Sequence, residues 1–87
     1  MITQTTQLTK EMVEMAMLDG TLDAIYGQEV HRLVRLEYSQ SQAEAIISNY
    51  LADPQNENYK AEMLKFQEYR EWCKNTARET IDRLKEA

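Results

Sequence analysis

The side chains able to do acid–base, nucleophilic or metal chemistry are one histidine, His31, one cysteine, Cys73, and 15 carboxylates. A protease-type zinc site needs two histidines one helical turn apart, and a catalytic imidazole needs a partner that tunes it. His31 has neither, because Glu29, two positions away, points to a different side of a helix. Cys73 falls on an apolar seam (described below), whereas a reactive thiolate wants an electropositive, partly exposed setting. Its position predicts a small packed hydrophobe. A phosphate-cradling loop requires several clustered glycines, and the chain has two in all. No Glu-x-x-His metal motif is present either. The expectation is a protein with no catalytic residues, no metal ligands and no cofactor.

The elements that would position any other function are read from punctuation and period. Composition is that of a folded chain, with 43% hydrophobic and 29% charged residues. Two Gly and one Pro are too few for the turns of an all-β fold. The expected fold is all-α, one small bundle of three to four helices with a long C-terminal helix. Residues 1–7 have no period and are expected to be a disordered lead-in.

A first helix is predicted over Lys10–Asp19. Thr9 is placed to cap it, Leu8 and Val13 are placed as a hydrophobic staple, and Gly20 supplies the left-handed stop. Thr21 is a candidate cap for a second helix ending near Tyr38, with Leu22, Ile25, Tyr26, Val30, Leu33 and Val34 on one stripe. Gly27 inside it costs about 1 kcal/mol relative to Ala. Ser39 with Gln42, and Ser41 with Glu44, both match the capping-box pattern, so either serine can start a third helix. That helix carries Ala43, Ile46, Ile47, Tyr50 and Leu51, and Asp53 before Pro54 stops it.

The segment from Pro54 to Asn58 reads as a linker. Beyond it a long helix is predicted from about Asn58 to Lys85. Tyr59, Met63, Phe66, Cys73, Ala77 and Leu84 form its seam, widened by Tyr69, Trp72 and Ile81. Glu79 and Arg83 are spaced for an i,i+4 ion pair. The two longest capped segments are expected to pair antiparallel across the loop.

Charge restricts the partners. The net charge is −5, from 15 acidic and 10 basic residues. Residues 1–52 hold three basic and seven acidic side chains, and residues 53–87 hold seven and eight. Nucleic-acid affinity comes largely from neutralising phosphates, so an acidic chain needs its cations concentrated on one face. Gln28, His31, Arg32 and Arg35 form a small polar strip, but beside Glu29 and Glu37 it reads as a solvated face. A helix-turn-helix reading would make residues 43–51 the recognition helix, which has no Arg or Lys to reach bases or phosphates. DNA binding is therefore a secondary alternative. No apolar run approaches the ~18 residues of a membrane span, and Met1 to Thr9 lack the pattern of a signal peptide. One cysteine leaves no internal disulfide and suits a reducing compartment, so a cytoplasmic location is expected.

Two features suggest a protein-binding surface. Met12, Val13, Met15, Ala16, Met17 and Leu18 cover most of the first helix's circumference. A helix apolar nearly all round must be buried on more than one side. Either the other three helices wrap it, or a second chain covers part of it. The expectation is a homodimer in which Met12, Met15 and Leu18 lie at a two-fold contact between identical patches. The second feature is aromatic. Tyr69 and Trp72, off the strict seam, are candidate anchors for a protein partner.

The set Tyr38, Ser39, Glu44, Ala45, Ile46, Ile47, Asn49, Asp53, Pro54, Tyr59, Lys60, Ala61, Glu62, Phe66, Tyr69, Cys73 and Lys74 resembles a group of small uncharacterised helical proteins. These are encoded near tail genes in bacteriophages and prophages of anaerobic gut bacteria, and the resemblance spans roughly residues 35–78. It carries over no catalytic residue. It implies a phage or prophage accessory protein linked to tail assembly, located in the host cytoplasm or the virion. The leading functional expectation is a non-enzymatic helical protein–protein interaction module that self-associates. The alternative is a small acidic regulator that binds and inhibits another protein.

Overall fold

The computed structural model describes residues 8–86 and contains four helices: α1 (Lys10–Asp19), α2 (Leu22–Glu37), α3 (Gln40–Ala52) and α4 (Glu57–Glu86). The all-α bundle with a long C-terminal helix is the fold expected. The expected disorder of residues 1–7 lies outside the described residues. A 30-residue helix is about 45 Å long, so α4 accounts for the 46 Å long axis of the molecule. The other three helices pack against α4, and α1 also packs against α2.

Local chemistry sets each boundary. The Thr9 hydroxyl accepts from the Met12 amide (3.2 Å), and Gly20 closes α1 in the left-handed region at φ 74°. The amides of Gly20 and Thr21 both donate to the Ala16 carbonyl, which satisfies the exposed end of the helix. Thr21 does not cap α2 through its side chain, contrary to expectation. Its backbone lies at φ −109°, ψ 22° rather than in an extended conformation, and its carbonyl instead accepts from Ala24 and Ile25.

Ser39, not Ser41, starts α3. The Gln42 amide donates to Ser39 Oγ (3.0 Å), and the Ser39 amide donates to Gln42 Oε1 (2.7 Å). The start of α4 falls one residue earlier than expected, because Asn56 Oδ1 accepts from the amides of Asn58 (2.9 Å) and Tyr59 (3.1 Å). Near the other end, Arg83 turns to Thr80 Oγ1 (3.4 Å) rather than forming the anticipated pair with Glu79.

The core is built on the seam of α4. Phe66, Cys73 and Ala77 are buried against Leu33 and Val34 of α2 and Ala43 of α3. Tyr26, Val30, Tyr38, Ile46, Met63 and Tyr69 close around them. The two longest helices, α2 and α4, pair antiparallel. Leu33 meets Tyr69, and seven residues back along α2 the Tyr26 ring meets Arg78, nine residues further along α4. No helix among the described residues is long and apolar enough to cross a membrane.

Candidate functional site

The side chains able to do chemistry are separated. His31 is exposed on α2, and Cys73 is fully buried in the core. Burial pushes the Cys73 thiol above its ordinary pKa, against the smaller lowering effects of the Tyr69 hydroxyl and the Arg70 charge. Such a thiol is a poor nucleophile at neutral pH. Among the described residues no three His, Cys, Asp or Glu side chains are grouped as metal ligands would be.

The aromatic candidates divide. The Tyr69 hydroxyl donates to the Leu33 carbonyl (2.8 Å), and its ring lies 5.7 Å from Tyr38, which itself meets Phe66 edge-on at 5.1 Å. Tyr69 therefore belongs to the core. Trp72 stacks on it at 5.7 Å and 21°, leaving 54% of the indole residue exposed. Of the two, only Trp72 presents surface to a partner.

On α1 only Val13 and Ala16 are buried, turned toward α2 and α4. This excludes the arrangement in which the other helices wrap α1; α4 is the central helix. Met12 is half-buried and, with Met15, Ala16 and Ile25, lines a shallow depression of about 360 Å³. Met15, Met17 and Leu18 are 57%, 53% and 82% exposed. Glu11, Glu14, Met15 and Leu18 fall at i, i+3, i+4 and i+7, so two carboxylates and two large apolar side chains share one outward stripe.

The polar strip expected on α2 is broken by an ion pair between Glu29 and Arg32. Glu29 is buried, and Arg32 Nε and Nη2 donate to its two carboxylate oxygens at 2.9 and 2.7 Å. This bidentate bond, more than the charge attraction, holds the Arg32 pKa above its ordinary value. Arg32 is thus neutralised, while Arg35 reaches the Tyr38 carbonyl at 3.5 Å. The i,i+3 spacing was a usable signal, but the burial of Glu29 was not visible in it.

A second surface is assembled only by the fold. α2 and α3 each lean on α4 and make little contact with each other, so they do not form the packed pair of a helix-turn-helix unit. Between them runs a groove of about 580 Å³. Val30, Val34, Ala43 and Phe66 form its apolar lining, and His31, Arg35, Arg70 and Lys74 supply its basic edges. Arg35 and Arg70 are 35 residues apart in sequence, which is why no linear pattern joined them.

Compared with protein-family models, curated proteins and solved structures, this chain matches none.

Proposed function

We propose that the chain is a non-enzymatic helical interaction module that self-associates through the outward stripe of α1. The observation that carries this reading is the joint exposure of Met15 (57%) and Leu18 (82%), neighbours on that stripe. Single exposed apolar residues are ordinary on soluble proteins, whereas a contiguous set marks an interaction surface. Methionine suits such a surface because its unbranched thioether adapts to a partner's shape. The resemblance of residues 35–78 to proteins encoded near phage tail genes supports a role as a structural or assembly accessory in a phage or prophage.

The test is oxidative footprinting of the native protein over a range of concentrations. Methionine oxidation follows exposure. Met15 should be oxidised rapidly in dilute solution and become protected as concentration rises, while Met63, half-buried against the core, serves as the internal reference. Oxidation of Met15 that does not change with concentration would contradict the proposal.

A further inference from the structure

The groove between α2 and α3 supplies the other half of the contact. Of its four residues with a permanent charge, Arg35, Arg70 and Lys74 are cationic and Glu44 alone is anionic. That is the reverse of the chain as a whole, with its 15 acidic and 10 basic residues. Arg70 has no carboxylate partner among the described residues. Lys74 is held only by the exposed Glu71 (3.3 Å), and Arg35 only by a 3.5 Å contact to the Tyr38 carbonyl. Glu44 is engaged by Gln40 Nε2 (3.0 Å). The floor between these edges is apolar. A partner that fits must therefore offer apolar side chains together with carboxylates.

The outward stripe of α1 has that composition, with Glu11 and Glu14 on the turn before Met15 and Leu18. Its length also fits. Tyr26, Val30 and Val34 along α2, and Phe66, Arg70 and Lys74 along α4, each span eight positions, about 12 Å of helix. Glu11 to Leu18 spans seven, about 10 Å. A contact between two α1 stripes, by contrast, would bring Glu11 and Glu14 of one copy against those of the other. Like charges across an interface are costly and select against such a pairing.

We infer that α1 of one copy docks in the α2–α3 groove of a second copy, with Met15 and Leu18 on the apolar floor and Glu11 and Glu14 against Arg35 and Arg70. This rests on the self-association proposed above and names the surface that receives it. The contact joins two different patches. It closes as a reciprocal pair where each α1 enters the other's groove, and otherwise propagates head to tail.

Charge reversal on each side tests it. The groove variant Arg35→Glu with Arg70→Glu, and the α1 variant Glu11→Arg with Glu14→Arg, should each self-associate at least about tenfold more weakly than the native protein. Mixing the two variants should restore association to near the native level, because the reversed α1 then meets the reversed groove. Recovery on mixing also shows that both variants are folded. Should either charge-reversed chain lose its helical circular dichroism, Arg35→Gln with Arg70→Gln and Glu11→Gln with Glu14→Gln replace them, and association must then weaken and lose its salt dependence. A native protein that stays monomeric defeats both the self-association and the groove. A native oligomer that survives groove reversal, or variants that do not recover on mixing, defeats the groove alone. Salt-sensitive binding of duplex DNA that disappears on groove reversal would assign the groove to nucleic acid and overturn the inference.

Discussion

The Tyr69 hydroxyl donates a 2.8 Å hydrogen bond to the Leu33 carbonyl, tying α4 to α2 across 36 positions of sequence. Burial, followed by the contact with Cys73, pushes the Tyr69 pKa up to about 12 from an ordinary 10.0. The folded state therefore favours the neutral phenol. That stabilisation is complete below pH 10.0 and is lost as pH rises through about 12, because within this window the unfolded chain has released a proton the folded chain retains. Replacing Tyr69→Phe should lower stability at neutral pH by roughly 0.5–1.5 kcal/mol. It should also remove part of the alkaline decline, as read from urea midpoints across the window. A variant profile that runs parallel to the native one would contradict this.

The Glu29–Arg32 pair is expected to be sensitive to removal of one partner. The two side chains are 5% and 14% exposed, and breaking a buried pair leaves an uncompensated charge. Arg32→Met should cost roughly 3 kcal/mol, toward the low end for buried pairs because the guanidinium retains some contact with water. Replacing both residues with apolar side chains should cost much less than the sum of the single changes. Chemical denaturation of the three variants gives the coupling; additive losses would mean that the bidentate geometry contributes nothing.

Cys73 is fully buried and its thiol pKa is raised. A neutral-pH thiol reagent should label it only as fast as the chain opens, and the rate should rise in proportion as denaturant populates the unfolded state. Rapid selective labelling of the native protein would reveal an exposed thiolate, and metal analysis showing one zinc per chain would contradict the non-catalytic, metal-free reading.

The two glycines should respond to alanine with opposite sign. Gly20 sits at φ 74°, and an added Cβ would meet nothing within 4 Å, so the cost is one of backbone conformation alone, roughly 1–2 kcal/mol. Gly27 lies within α2 with equally open space around it. Gly27→Ala should stabilise by about 0.5–1 kcal/mol by removing freedom from the unfolded chain. Thermal unfolding of both variants checks the pair of signs.

The boundaries of α1 and α3 were legible because local groups write them: Thr9, Gly20, Ser39 with Gln42, and Asp53 before Pro54 all act within a few residues of themselves. Thr21 misled because a residue-type preference does not specify ψ, and the turn after Gly20 had already set it. The apolar circumference of α1 was legible as a surplus, but which part would be exposed depended on α4 taking the centre of the bundle. Tyr69 and Trp72 had equal standing in sequence and were separated by three positions of helix, enough to bury one and expose the other. The basic groove was not legible at all. It joins Arg35 to Arg70 only through the packing of α2 and α3 on α4.

In the proposed assembly Met15 and Leu18 are covered by a second copy of the chain. Burial of each such side chain is worth roughly 1.5–3 kcal/mol, so changing both to Glu should weaken association at least about a hundredfold. Light scattering with sedimentation equilibrium, on the native protein at on the order of tens of micromolar, measures this directly. The native protein should have a mass of two chains or more, and Met15→Glu with Leu18→Glu should be a helical monomer. A native protein that remains monomeric in that range, or a double variant that associates as the native chain does, would contradict this assembly.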